Sequence, residues 1–373
     1  MIAQVKGWCP AAWRPMAAGD GLLVRVRPAF GRLSAAQALG LATAAARFGS
    51  GAIDLTRRAS LQLRGVAEAN WRPLVETLVA LDLVDPDPAI DAQAGLTVAP
   101  DWQEGDDTHR IAADLHARRS DWPALPAKFG FAVDAGRACR LADTPADLRV
   151  ERSAEGGLML RAEGQATGVA LARGEEAAAA IDLARWFRDT GGDASRRMAR
   201  HPVPLPGWAR GGVQPARGGP LAAGPHPLGS LYGLPFGRMS AAALGTLVAR
   251  HAATALRLTP WRLLLVEGAE GMPVPGFGLD PADPLLAADA CVGAPACPQA
   301  SVATRELARR LAPHVADLHV SGCAKGCARS GPAALVLTGR DGRFDLARAA
   351  RAGDPPAETG LDAATLLARF GAC

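Results

Sequence analysis

The sequence predicts a mixed α/β (α+β) fold built on a duplicated strand–helix–strand unit. Residues 30–39, FGRLSAAQAL, recur as FGRMSAAAL at 236–244, so that Phe30, Gly31, Arg32 and Ser34 correspond to Phe236, Gly237, Arg238 and Ser240. Each copy is followed by a threonine-led apolar segment, IDLTRRASLQLRG at 53–65 and LRLTPWRLLLVEG at 256–268. An alternating stretch, GLLVRVRP at 21–28, supplies a strand ahead of the first copy.

Each element has a local reason. Ser34 and Ser240 are placed to accept the first free N–H groups of a helix, and Gly49 is a stop for the first one. Leu244, Leu247, Val248, His251 and Ala255 fall close to one face of the second. Read as one strand, TRRASLQLRG puts Arg58, Ser60, Gln62 and Arg64 on one face and Leu61 and Leu63 on the other. Arg25 and Arg27 form a similar pair on the first strand. Guanidinium groups in a row repel each other unless an anion neutralises them, so this wall reads as an anion site. Between the two units lies a segment at 83–205, and the stretch HPVPLPGWARGGVQPARGGP around its end reads as a crossing linker. Beyond the second unit, SVATRELARRLA at 301–312 reads as a helix with Ser301 near its cap, and ADLHVS at 316–321 as a short strand leading to Cys323. The expected domains are therefore 1–82, 83–205, 206–270 and 271–373.

Four of the seven cysteines form two close pairs, Cys291 with Cys297 and Cys323 with Cys327, on loops rich in Gly, Ala and Pro. Thiolates so spaced can converge on one metal centre, but C-x5-C and C-x3-C do not match zinc ribbons or fingers. Disulfides are not expected: the cysteine count is odd and the N-terminal residues carry no apolar leader, which points to a reducing cytoplasm. Cys9, Cys139 and Cys373 are isolated and read as packing residues, with Cys9 singled out by its Trp-Cys-Pro turn. No apolar run reaches the ~18–20 residues of a membrane span. A net charge of +4 with arginines dispersed along the chain suits a discrete anionic ligand rather than nucleic acid.

The cysteine spacing resembles the [4Fe-4S] ligand set of the sulfite and nitrite reductase superfamily, and TRRASLQLRG resembles its sirohaem-facing motif, with Arg58 on the motif's arginine. LPAKFGFAVDAG, ending at Gly136, is similar to that superfamily's Leu-Pro-x-Lys-Phe motif, with Lys128 on its first lysine. The usual second lysine is replaced by Gly130. Arg110, in DDTHRIAADL, falls where another active-site arginine is expected. Two further runs, CPAAWRPMAAGDGLLVRVRP at 9–28 and HVSGCAKGCARSGPAALVLTG at 319–339, draw the likeness to the precorrin-3B synthase family. The resemblance extends over nearly the whole chain and is weak across 140–200.

That resemblance implies duplicated ferredoxin-like half-domains of the nitrite/sulfite reductase type beside a tetrapyrrole- and cluster-binding region. It implies a monooxygenase that hydroxylates precorrin-3A at C20 with O2 and forms a lactone from the ring A acetate, in aerobic cobalamin biosynthesis. Cys291, Cys297, Cys323 and Cys327 would hold the [4Fe-4S] cluster. Arg58 and Lys128 would be catalytic, and Arg25, Arg27, Arg58, Gln62, Arg64, Arg110, Lys128 and Arg262 would bind the acidic substrate. A mononuclear non-haem iron is implied too, yet the seven histidines show no ligand pattern: His109 and His116 stand seven apart beside Asp107 and Asp114, and His314 and His319 lie near the cysteines. No dinucleotide fingerprint follows a strand, so NADH is expected to deliver electrons through a separate reductase or ferredoxin. The alternative within the superfamily is a sirohaem-dependent sulfite or nitrite reductase.

Overall fold

The structure, a computed structural model, describes residues 9–372; Cys373 lies outside them. The first unit contains a hairpin of β1 (Met16–Ala18) and β2 (Gly21–Val26), then β3 (Arg32–Ser34), α1 (Ala35–Phe48), β4 (Ala52–Leu55), β5 (Leu61–Val66) and α2 (Glu68–Ala80). Ser34 opens α1 with a reciprocal cap. Its Oγ accepts the Gln37 N–H at 3.2 Å, while the Gln37 side-chain oxygen accepts the Ser34 N–H at 2.9 Å. The residues before each cap are strained alike: Phe30 and Phe236 have φ of 53° and 56°, followed by left-handed Gly31 and Gly237. This shared turn is the physical content of the repeated Phe-Gly-Arg. At Gly237 a β-carbon would also come within 2.8 Å of the Leu55 carbonyl oxygen.

The middle segment holds α3 (Pro88–Asp91), β6 (Gly95–Val98), α4 (Asp107–Ala117), β7 (Gly130–Asp134), β8 (Leu148–Arg152), β9 (Leu158–Ala162), β10 (Val169–Leu171), α5 (Glu176–Asp189) and α6 (Gly192–Ser195). Its sheet runs β10-β9-β8-β7-β6, and β6, β7 and β8 are parallel. The Pro/Gly-rich linker returns along this sheet, bridging Val213 to Gly168 and Pro215 to Ser153.

The second unit repeats the first with β11 (Gly224–His226), β12 (Gly229–Gly233), β13 (Arg238–Ser240), α7 (Ala241–Arg250), β14 (Ala255–Leu258) and β15 (Leu263–Glu267). The units exchange their short strands. One sheet runs β1-β2-β5-β4-β13 and the other β11-β12-β15-β14-β3. A single core follows from this exchange, with Leu33, Leu41, Ile53 and Leu63 buried together with Leu247 and Leu264. Ion pairs lock both exchanged strands: Arg238 clamps Asp54 at 2.7 and 2.9 Å, and Arg32 and Arg257 both grip Glu267.

The C-terminal region contains α8 (Pro284–Ala287), β16 (Asp289–Ala290), α9 (Arg305–Leu311), β17 (Leu318–Ser321), β18 (Ala333–Arg340), β19 (Arg343–Ala350), β20 (Glu358–Leu361) and α10 (Ala363–Arg369). Its sheet runs β16-β17-β18-β19-β20, with β16, β17 and β18 parallel. Ser301 is not the cap of the helix expected at 301–312. The helix starts at Arg305, behind Thr304, whose hydroxyl donates instead to the Cys291 carbonyl at 2.6 Å. Residues 53–65 are likewise not one strand. A turn at Thr56–Ser60, with Ala59 at φ 47°, separates β4 from β5, because Thr56 and Ser60 bond to each other through backbone and hydroxyl groups. Among the described residues no helix is long and apolar enough to cross a membrane.

Candidate functional site

Two parallel strands bring the cysteine pairs together. Cys291 leaves the end of β16 and Cys323 follows β17, its neighbour, with Asp289 opposite His319 and Ala290 opposite Val320. The Cys297 N–H donates to the Gly293 carbonyl at 2.8 Å, folding the second thiol back toward the first. Gly293 is left-handed, and a β-carbon there would press within 2.7 Å of the Thr304 hydroxyl. All four cysteines line one open cleft of about 540 Å³. The Gly322 N–H points at the Cys291 sulfur from 3.1 Å. Although Cys327 is exposed, desolvation by the cleft around it raises its thiol above the ordinary range; Lys325 opposes this, and the other three thiols push upward again. Ionising such a crowded set is unfavourable until a bound cation neutralises it.

The four thiols fit an iron–sulfur cube on this basis: one cleft, small flanking residues, and a backbone N–H already aimed at a sulfur. Among the described residues no three His, Cys, Asp or Glu side chains converge as for a single metal ion. A cube takes one thiolate on each iron and so uses a wider-set quartet.

The wall facing the thiols is cationic. Arg25 from β2, Arg58 from the turn, Gln62 and Arg64 from β5, Lys128 and Arg262 all line the same cleft. Their commitments differ. Arg64 is 5% exposed and held by both Asp20 oxygens at 2.9 Å. Arg262 donates to the Ala288 and Leu286 carbonyls at 2.9 and 3.0 Å and lies 3.3 Å from Asp289. By contrast, the half-buried Arg58 guanidinium has no hydrogen bond or ion pair among the described residues. Burial lowers its pKa, and the nearby positive charges of Arg197 and Arg25 act the same way, against an opposing pull from Cys9 and Asp147. Arg25 keeps a buried Nε without a partner and stands beside the Cys9 thiol. Lys128 is exposed at the cleft and unpaired among the described residues.

Two of the expected substrate-binding arginines stand elsewhere. Arg27 lines an adjoining smaller cavity, which shares Arg25 and Arg58 with the cleft, and its guanidinium is spent on the Gln93 and Asp91 carbonyls. Arg110 lies on α4 in the middle domain and lines neither space. It is neutralised by Glu176 at 2.6 Å and Asp107 at 3.1 Å. Sequence reading also missed Asp54, Arg57, Asp289 and Arg305, which line the cleft. Arg57 and Asp289 pair at 3.3 Å. Asp54 gathers Arg238, Arg305 and, at 3.8 Å, Arg64. No local signal could have found that hub, since Arg238 and Arg305 lie 184 and 251 residues from it.

Comparison with known proteins bears on the family and the fold. Residues 14–81 match the nitrite/sulfite reductase ferredoxin-like half domain. A precorrin-3B synthase from a Sinorhizobium species is 32% identical over 411 aligned residues, which take in 98% of this chain and 88% of that protein. A ferredoxin–nitrite reductase from Synechococcus elongatus is 32% identical over 142 residues, 35% of this chain and 28% of its own. In fold, the chain is similar to the NirA protein of Mycobacterium tuberculosis, with a TM-score of 0.60, 18% identity, and coverage of 91% of this chain and 76% of that one.

Proposed function

The chain belongs to the precorrin-3B synthase family, and from that premise we propose that it is a monooxygenase that hydroxylates precorrin-3A at C20 with O2 and closes a lactone from the ring A acetate, in aerobic cobalamin biosynthesis. The observation that carries this reading is the meeting, in one cleft, of four thiols and the three cations Arg25, Arg58 and Lys128, none of which has an ion pair among the described residues. An acidic macrocycle brings carboxylates to charges that the fold leaves unneutralised. Arg25 and Arg58 orient the ring by fixing carboxylates, and exposed Lys128 holds one at the mouth. Arg64 and Arg262, already paired, keep the wall in shape. The [4Fe-4S] cluster, on Cys291, Cys297, Cys323 and Cys327, supplies single electrons to the cleft when bound. Those electrons come from NADH through a separate reductase or ferredoxin. No residue is assigned to a mononuclear iron.

The test is turnover of precorrin-3A by reconstituted protein under ¹⁸O2. A product carrying one labelled hydroxyl oxygen is expected, and a product with no label would overturn the reading. The likeness to a ferredoxin–nitrite reductase supports a second reading, a sirohaem-dependent reductase of sulfite or nitrite. It requires a stoichiometric sirohaem absorption band in the purified protein.

A further inference from the structure

His319 is the most deeply buried imidazole that the proposed chemistry leaves unused. It is fully buried, at 0% exposure, and neither ring nitrogen has a hydrogen-bond partner. A buried polar group left unpaired is destabilising, so such groups in native proteins normally meet a partner in the working state. The obvious candidate is already taken. Asp289, opposite His319 on the neighbouring strand, is shared by Arg57 and Arg262 at 3.3 Å and Arg329 at 3.7 Å. What lies against the imidazole is the loop that carries two of the thiols. A β-carbon on Gly326 would be 3.8 Å from His319 Cε1, and Gly326 sits between Cys323 and Cys327. Gly326 is left-handed, and a β-carbon there would also meet the Arg329 carbonyl oxygen at 3.1 Å and the Ala352 side chain at 3.3 Å, so the loop and the ring share one packed corner.

We propose that His319 becomes a hydrogen-bond donor to the sulfur ligand set of the 323–327 loop when those thiols hold an iron–sulfur group, and that it thereby raises that group's reduction potential. Donors to thiolate or sulfide stabilise the more negative, reduced form, and such outer partners tune potentials. The inference rests on the four-thiol reading above, and the test separates the two.

The test compares wild-type, His319→Leu and His319→Gln proteins after anaerobic reconstitution, by iron and sulfide content, midpoint potential and melting temperature of the metal-free form. His319→Leu is expected to retain full iron and sulfide, to lower the potential, and to leave the metal-free protein at least as stable, since it removes two unpaired buried nitrogens. His319→Gln, which keeps an N–H donor, is expected to recover part of the potential and covers the case of a leucine variant that does not fold. An unmoved potential in cluster-replete variants overturns the proposal, as does lost metal-free stability without a change in potential, which marks a purely structural ring. Absence of iron and sulfide from the wild type itself would refute the cluster reading and not the His319 geometry.

Discussion

At the scale of single residues, the decisive contrast is between Arg58 and Arg110. Both match arginines expected at an active site, yet Arg110 is neutralised by Glu176 and Asp107 while the Arg58 guanidinium faces the cleft without an ion pair among the described residues, Asp147 acting on it only from a distance. A charged hydrogen bond to a carboxylate is worth about 1.5–3 kcal/mol. Arg58→Ala is therefore expected to weaken precorrin-3A binding roughly 10–100-fold in an anaerobic spectroscopic titration, with iron content unchanged. Arg110→Ala should leave that affinity alone and lower the unfolding free energy instead. The alternation of charge along 58–64 announced the cationic wall, but it gave the wrong reason for Arg58. This residue reaches the cleft from the tip of a turn, because Thr56 and Ser60 close on each other. Which arginines are paired could not be read locally either: the Arg64 partner Asp20 is 44 residues away and the Arg110 partner Glu176 is 66.

At the scale of elements, the repeat was the most legible part of the chain. Both serine caps and the Gly49 stop lie where the paired motifs place them, since each is set by neighbours within a few residues, but α7 ends at Arg250, which leaves Ala255 in β14, and each following segment is two strands rather than one. The exchange of β3 and β13 was not legible. Three-residue strands carry almost no pattern, and their partners lie in the other half of the chain. Asp54 is where that exchange meets the cleft: it joins Arg238 of β13, Arg305 of α9 and Arg64 of β5, and those charges hold its carboxyl below the usual range despite burial. Removing one member of a buried pair leaves the others uncompensated, typically at about 3–5 kcal/mol. Asp54→Asn should lose about that much in urea denaturation and loosen the cleft wall on both sides. At α7, Ser240→Ala is expected to lower stability by about 1 kcal/mol, because its Oγ caps the Ala243 N–H at 3.0 Å.

At the scale of the whole molecule, the duplicated halves and the C-terminal sheet enclose the site together, so stability and function share the same ion pairs. Glu267 shows the sign. Hydrogen bonds from Arg32, against some burial, and the charge of Arg257 lower its carboxyl from 4.5 to about 2. A depressed acid contributes stability that is complete above its unfolded value and is lost as pH falls toward the folded one. The wild type should thus lose stability between about pH 4.5 and 2 more steeply than Glu267→Gln, as denaturation curves across that range will measure. Composition and motifs conveyed the duplicated half-domains; they could not convey how four sheets close around one cleft, which depends on contacts between distant segments. The most direct measurement of the central claim is a crystal structure of the reconstituted protein with precorrin-3A bound. The account predicts an iron–sulfur cube on Cys291, Cys297, Cys323 and Cys327 and a macrocycle carboxylate on the Arg58 guanidinium, whereas a cube on other ligands or a macrocycle bound away from that arginine would contradict it.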